Sequence, residues 1–157
     1  METKGIGIRV TPSEIFYTVV AENDKQEGHY FNEILIVPKA LDIPRQLSFI
    51  RTTLFSLICE HNITEAGLRT AEGTAQQANV SRLNIEGVIQ ELFSNSTISN
   101  YFTGTLTSMA SRLGTTNKKL KECCEGTNAF GVGDWNQFHK NHRESYMAAI
   151  AAIRCRK

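Results

Sequence analysis

An arginine stands inside an apolar stretch near the start of the chain, in the segment GIGIRV. Small and branched apolar residues surround Arg9 on both sides, a pattern typical of a buried β-strand. An unpaired charge in such a strand is costly because the charged group loses its hydration and gains no compensating partner. Guanidinium groups form paired hydrogen bonds with carboxylates and phosphates. The sequence therefore indicates that Arg9 has an anionic partner.

Basic residues concentrate in the last third of the chain. Residues 1–99 carry 8 basic and 12 acidic side chains, and residues 100–157 carry 9 basic and 4 acidic ones, although the net charge of the whole chain is only +1. Lys118, Lys119 and Lys121 form a short basic run near Arg112. Such a patch predicts weak, salt-sensitive contact with nucleic-acid phosphates, and a solvated helix face is the alternative.

The cysteines and histidines lack the spacing of a metal site. The four cysteines contain no CxxC pair: Cys59, Cys123, Cys124 and Cys155. Adjacent cysteines suit one small zinc site poorly, so we expect free thiols in a reducing compartment. His139 and His142 share one turn of a predicted helix without a further ligand at metal spacing, and we expect them at the surface or the edge of the core.

The length and composition fit one globular domain that spans residues 1–157. Hydrophobic residues make up 41% of the chain, which is normal for a protein with a buried core. No apolar stretch approaches the roughly 20 residues needed to cross a bilayer, and the start does not resemble a signal peptide. We therefore expect a cytoplasmic protein with no membrane partner.

The apolar periodicity predicts three strands joined by hairpins, over residues 4–10, 14–22 and 30–38. A helix should follow, with Asp42 as its N-cap. The segment ITEAGLRTA predicts a fourth strand, GTAQQAN a loop, and SNSTISNYFTGTL a loop with a fifth strand.

Later helices are predicted from the same period. Asn79 or Ser81 can cap a second helix whose apolar stripe is Val80, Leu83, Val88 and Leu92. A short helix in TSMASRLG and a short basic helix precede a final helix. One face of that helix carries Phe138, His142, Tyr146, Ala149, Ile150 and Ile153. Trp135, just before it, should pack against the core.

This order of elements predicts an α/β fold with a mixed five-stranded sheet flanked by helices. The first three strands are antiparallel, and the fourth and fifth run parallel to the first, which is the order of the ribonuclease H-like fold. The chain resembles the RuvC-like branch of that superfamily, the Holliday-junction resolvases and their relatives, and a small uncharacterised bacterial family of similar length. Three stretches carry the resemblance: GIGIRVTPSEIFYTVVAEN, EHNITEAGLRTAEGTAQQANVSRLNIEGVIQ and NHRESYMAAIAAI.

The resemblance implies a site of four carboxylates around two divalent cations, which active relatives use to cleave phosphodiesters. These positions fall on Arg9, Arg69, Asn141 and Glu144. Three of the four have no carboxylate, and two carry a permanent positive charge. The resemblance therefore predicts a catalytically inert domain without a cofactor, in which Arg9 and Arg69 face one cleft.

Three interpretations of this site stay open. In the first, Glu144, Glu72 or Glu65 neutralises one of the two arginines, and the inert domain binds DNA, RNA or a protein partner. In the second, a rearranged set of acids binds Mg²⁺ or Mn²⁺ and cleaves nucleic acid. That set is Glu65, Glu72, Asp134 and Glu144.

In the third interpretation, the site binds a small anionic ligand. The candidate ligand-binding residues are Arg9, Arg69, Arg112, Lys118 and Lys119. A homodimer is a further expectation, because the resolvases that this chain resembles act as dimers on a symmetric junction.

Overall fold

Five strands form one mixed sheet. The structure is a computed structural model that describes residues 1–72 and 79–154. The strands are β1 (Thr3–Val10), β2 (Glu14–Glu22), β3 (Gly28–Ile36), β4 (Glu65–Arg69) and β5 (Asn100–Gly104). They lie in the order β3-β2-β1-β4-β5. β1, β2 and β3 pair antiparallel, whereas β4 runs parallel to β1 and β5 parallel to β4. The predicted sheet is confirmed.

In the described part of the chain, five α-helices connect and flank the strands. They are α1 (Ile43–Glu60), α2 (Val80–Ser94), α3 (Leu106–Arg112), α4 (Asn117–Cys124) and α5 (Lys140–Arg154). The predicted caps are confirmed, because the side chain of Asp42 accepts from the Arg45 N–H and that of Asn79 from the Arg82 N–H. A 3₁₀ turn, Trp135–Gln137, precedes α5. No helix among the described residues is long and apolar enough to cross a membrane.

The sheet separates two apolar layers. On one face, α1 and α2 pack on side chains such as Ile6, Ile8 and Leu68. On the other face, α5 lies against the sheet, with α3, α4 and Trp135 packed around it. The Trp135 indole, 1% exposed, donates to the Cys123 carbonyl at 3.0 Å, so the expected core packing of this residue is confirmed.

Two predicted helix faces differ from the structure. In α2, Val80 and Leu83 are exposed, and the buried apolar stripe is Ile85, Ile89, Leu92 and Phe93. In α5, burial is not restricted to one face, because every residue from Glu144 to Ile153 is buried between the sheet and the outer helices. Phe138 precedes this helix instead of lying on it. Of the predicted loop GTAQQAN, residues 73–78 lie outside the described residues, as does Cys155.

Glycines on β1 and β4 bring α5 unusually close to the sheet. A Cβ atom on Gly7 would lie 1.8 Å from the Ser145 carbonyl oxygen, and one on Gly67 would lie 2.6 Å from that of Ala148. Bare strand backbone is thus the surface on which α5 rests. The close packing places Glu144, near the start of α5, over the carboxyl ends of β1 and β4.

Candidate functional site: an arginine cleft

Arg9 and Arg69 occupy aligned positions on neighbouring parallel strands. The register pairs Arg9 of β1 with Arg69 of β4. Because side chains alternate along a strand, each arginine lies on the same face as the glycine two residues earlier, which is the face against α5. Both guanidinium groups therefore meet at the carboxyl ends of the strands.

Glu144 of α5 lies between the two arginines. Its Oε1 is 3.0 Å from Arg69 Nε, and its Oε2 is 3.4 Å from Arg9 Nε. The side chains of Glu144 and Arg69 are each 5% exposed, and that of Arg9 is 15% exposed. One carboxylate thus serves two cations in a region almost closed to water, and these three groups alone carry a net positive charge.

Glu72 supplies the second carboxylate of the cluster. Its Oε1 is 2.8 Å from Arg69 Nη2 and also accepts from the backbone N–H of Leu106 at 3.4 Å. Arg69 Nη1 donates to the Thr70 carbonyl. With Glu72 included, two guanidinium cations face two carboxylates. Charge balance therefore depends on a side chain that is 45% exposed.

Arg9 is less completely compensated than Arg69. Its Nη1 donates over long distances, 3.5 Å to the Arg69 carbonyl and 3.4 Å to that of Thr70, and its buried Nε forms no hydrogen bond. Burial lowers the pKa of Arg9 to about 10; the charge of Glu144 opposes this shift and that of Arg69 adds to it. Arg9 remains cationic at neutral pH in a site that leaves it few acceptors.

An open cleft of about 670 Å³ lies above these groups. Strand ends, the start of α3, one face of α4 and the start of α5 form its walls. We call it the arginine cleft; it is lined by Arg9, Arg69, Glu72, Leu106, Thr107, Asn117, Lys121, Cys124, Glu125, Lys140 and Glu144. Lys140 pairs with Glu125 at 3.2 Å on the solvent-exposed rim.

Arg143 fixes the wall that α4 contributes. Its guanidinium donates to the carbonyls of Cys124 at 2.8 Å and Trp135 at 3.0 Å, which ties the end of α4 and the following loop to α5. Three backbone carbonyls share this cation, since the Asn136 carbonyl also accepts from it at 3.1 Å. The wall opposite the sheet is therefore held by directed hydrogen bonds as well as by apolar packing.

Two of the four acids of the rearranged nuclease set lie away from the cleft. Glu65 precedes Arg69 by four residues on β4, about 13 Å along the strand, and accepts from Asn100 at 3.4 Å. Asp134 is exposed beside Tyr30, where burial, and secondarily the charge of Asp134, raises the pKa of the tyrosine hydroxyl. Of that set, the structure brings only Glu72 and Glu144 together.

Asn141 also does not line the cleft. Its backbone N–H donates to Nδ1 of His139 at 3.0 Å, where the chain enters α5. His139 and His142 both pack on the Phe16 ring, with ring centroids 4.9 and 5.0 Å away. His142 Nε2 lies 2.9 Å from the Glu33 carbonyl. These contacts place both histidines at the edge of the sheet.

The five candidate ligand-binding residues do not line a single cavity, because only Arg9 and Arg69 line the arginine cleft. Arg112 stacks over the Phe102 ring, 4.4 Å from its centroid, and with Lys119 lines a second cavity of about 540 Å³. Lys118 is exposed on α4. The division follows from helical geometry, because Asn117, Lys121 and Cys124 face the arginine cleft while Lys119 points elsewhere.

The described residues of the cleft do not offer the donors that a pair of divalent cations requires. Such ions need several anionic oxygens, yet both Glu144 oxygens face guanidinium groups and Glu72 binds Arg69. Among the described residues, no group of three or more His, Cys, Asp or Glu side chains is arranged to hold a metal ion. Two neighbouring guanidinium charges also repel cations. The chemistry that fits these residues is recognition of an anion.

The reactivity of the Cys124 thiol, which lies in the cleft wall, reports on the burial and charge of the site. Burial, and secondarily the charge of Glu144, raises the pKa of this thiol to about 12. Since the thiolate is the reactive form, we expect iodoacetamide at about pH 8 to modify exposed Cys59 in the native protein and to spare Cys124 until it unfolds. Peptide mass spectrometry measures both rates. Equal modification of the two cysteines in the folded protein would contradict this description of the cleft.

Sequence reasoning missed four polar residues of the cleft, namely Thr107, Asn117, Glu125 and Lys140. They come from the start of α3, the two ends of α4 and the start of α5, and no local pattern marks them. One signal was present in the sequence: Gly5, Gly7 and Arg9 alternate on β1, which indicates a strand face that accepts a closely packed helix and ends in a charge.

The sequence matches no protein-family model and no curated protein. Among solved structures, RuvC of Thermus thermophilus matches with a TM-score of 0.68 and 9% sequence identity, over 96% of this chain and 92% of RuvC. The same protein in complex with a Holliday junction substrate matches over the same shares, with a TM-score of 0.67 and 9% identity. This likeness concerns the fold, and it covers nearly the whole chain. The protein has the RuvC-like ribonuclease H fold that the sequence predicted.

Proposed function

We propose that this protein is a non-catalytic domain of RuvC-like fold that binds nucleic acid at the arginine cleft. The observation that carries the proposal is the Arg9–Glu144–Arg69 cluster, which stands where the resemblance implies metal-binding carboxylates. Guanidinium groups at this place favour phosphate oxygens and disfavour divalent cations. Binding without cleavage is the outcome that these residues support.

The surroundings of the cleft support nucleic acid as the ligand. Lys121 and Lys140 line it, and Lys118 is exposed one residue after the start of α4. Cations spread along such a rim attract a phosphate backbone and release its counterions. The solved RuvC complex with a Holliday junction offers a further reason to test branched DNA first.

Neutralising the rim should weaken DNA binding. We expect Lys118→Gln combined with Lys121→Gln to lower affinity for a four-way DNA junction by about tenfold at low salt and to reduce the salt slope by about two. Both side chains are exposed, so the fold should not change. Fluorescence anisotropy with a labelled junction at about 50 and 200 mM salt measures both quantities.

A matched control lies on the opposite face of the sheet. Arg45→Gln with Arg51→Gln also removes two positive charges, from α1, and should leave junction affinity nearly unchanged. Binding should not require magnesium and should persist in EDTA, and the junction should stay intact in magnesium or manganese. Cleavage would contradict the proposal. No junction binding under any condition would instead direct the search to a protein partner.

A further inference from the structure

We infer that the Glu72 carboxylate occupies a phosphate-binding position of the arginine cleft, and that a phosphate group replaces it between Arg69 and the Leu106 N–H. The inference rests on the proposed function for the source of this phosphate, a nucleic-acid backbone. Beyond the proposed function, it assigns one phosphate position, beside Arg69, and it identifies Glu72 as a side chain that competes with phosphate for this position.

The contacts of Glu72 are those that a phosphate oxygen would form. Glu72 Oε1 lies 2.8 Å from Arg69 Nη2 and accepts from the Leu106 backbone N–H at 3.4 Å. A guanidinium and a backbone amide directed at one oxygen are donors common to carboxylate and phosphate recognition. Arg9, whose contacts to carbonyls are long, lines the same cleft and offers a second cation to a larger anion.

The two acids of the cluster differ in freedom to move. Glu144 is 5% exposed on a helix that is buried along most of its length, so its displacement would open the core. Glu72 is 45% exposed and follows the end of β4, so its side chain can leave without disturbing the sheet. The replaceable anion of the pair is therefore Glu72.

Charge balance requires an anion in this position. Without Glu72, Glu144 alone would face both buried guanidinium groups. A phosphate that takes the place of Glu72 restores the balance and adds oxygens for Arg9. Glu72 would then lower the affinity of the resting protein for phosphate, because each binding event must displace it.

Removing the competitor should strengthen phosphate binding. We expect Glu72→Ala to bind inorganic phosphate about fivefold more tightly than the wild type, the effect of releasing one partly exposed ion pair. The readout is the thermal unfolding midpoint against phosphate concentration, with ionic strength held constant by sodium chloride. Glu72→Gln, which keeps the shape of the side chain, should change affinity in the same direction. Junction affinity, measured by anisotropy, should rise in parallel.

Glu125→Ala is the matched control. It removes a carboxylate from the same cleft and releases Lys140, but this pair is well exposed, at 72% for Glu125 and 56% for Lys140. Solvent screening should keep its effect below about twofold. Equal gains for Glu72→Ala and Glu125→Ala would overturn the inference, since general electrostatics would then suffice, and so would no gain for Glu72→Ala.

Binding of inorganic phosphate tests this inference, and binding of the DNA junction tests the proposed function, so the two can fail separately. A phosphate gain specific to Glu72→Ala without junction binding by any variant supports the anion position and rejects nucleic acid as its source. Junction binding by the wild type without any gain for Glu72→Ala supports the proposed function and rejects the role of Glu72.

Discussion

Gly7→Ala is expected to abolish the native packing of α5. The added methyl carbon would lie 1.8 Å from the Ser145 carbonyl oxygen and 2.4 Å from the Ala149 nitrogen. Both atoms are helix backbone, so no side chain can rotate away and α5 as a whole must shift. Because α5 is buried along most of its length, we expect a loss of at least about 4 kcal/mol, comparable with the whole stability of a small domain.

The single tryptophan reports this loss. Trp135 is buried where α5 and α4 meet, so its fluorescence during urea unfolding follows the packing of that layer. Gly87→Ala is the control, since a Cβ at this exposed position in α2 meets no atom within 4 Å. It should stabilise the protein by up to about 1 kcal/mol through helix propensity. A Gly7→Ala protein with wild-type stability would show that α5 does not lie this close to the sheet.

Much of the sheet could be predicted from local sequence patterns. Hairpins between β1, β2 and β3 follow from short polar connections between β-branched stretches, and the Asp42 cap marks the start of α1. These features depend on neighbours along the chain, where propensity and turn chemistry act directly. The strand order then follows from a small number of allowed connections.

Helix orientation was harder to predict because it depends on contacts between distant residues. The segment VSRLNIEGVIQELF contains apolar residues at spacings that fit more than one stripe, and the sheet selects Ile85 and Phe93 over Val80 and Leu83. Similarly, the cleft takes Lys121 from α4 and leaves Lys119 on another side. In each case, residues two positions apart on a helix, such as Leu83 and Ile85 or Lys119 and Lys121, point in different directions.

The acidic partners of Arg9 and Arg69 show which part of a site can be predicted from the sequence. Glu65 lies on the same strand as Arg69 and four residues away, so strand geometry alone places it too far to form an ion pair. Glu144 and Glu72 were the remaining candidates, and the structure uses both. The bridging of both guanidinium groups by one carboxylate could not be predicted, because this contact depends on how closely α5 approaches the sheet.

Glu144→Gln is expected to destabilise the protein by about 3–5 kcal/mol, the usual cost of leaving buried charge without its partner. The amide can still accept hydrogen bonds but provides no negative charge between Arg9 and Arg69. Arg9 depends on that charge most, because burial already lowers its pKa to about 10 and Glu144 is the main group that opposes the shift. Urea unfolding of the variant measures the loss.

A surface pair provides the comparison. Arg51 and Glu91 join α1 to α2 at 3.2 Å, with their side chains 31% and 56% exposed. Glu91→Gln should cost less than about 1 kcal/mol because water screens and solvates the released arginine. Similar losses for the two variants would mean that the arginine cluster is accessible to water, contrary to the burial described above.

The double variant Arg9→Met with Glu144→Gln separates charge imbalance from simple loss of contacts. Removing Arg9 along with the carboxylate leaves Arg69 with Glu72, so the remaining charges are again equal in number. Methionine can keep much of the buried volume of the arginine stem. We therefore expect the loss of stability in the double variant to be about 1–3 kcal/mol smaller than the sum of the losses in Arg9→Met alone and Glu144→Gln alone, a coupling typical of residues in one ion-pair network. If the loss in the double variant equals the sum of the losses in the two single variants, Arg9 contributes to stability through its packing contacts and not through its charge. The Arg9–Glu144–Arg69 cluster would then not depend on electrostatic compensation.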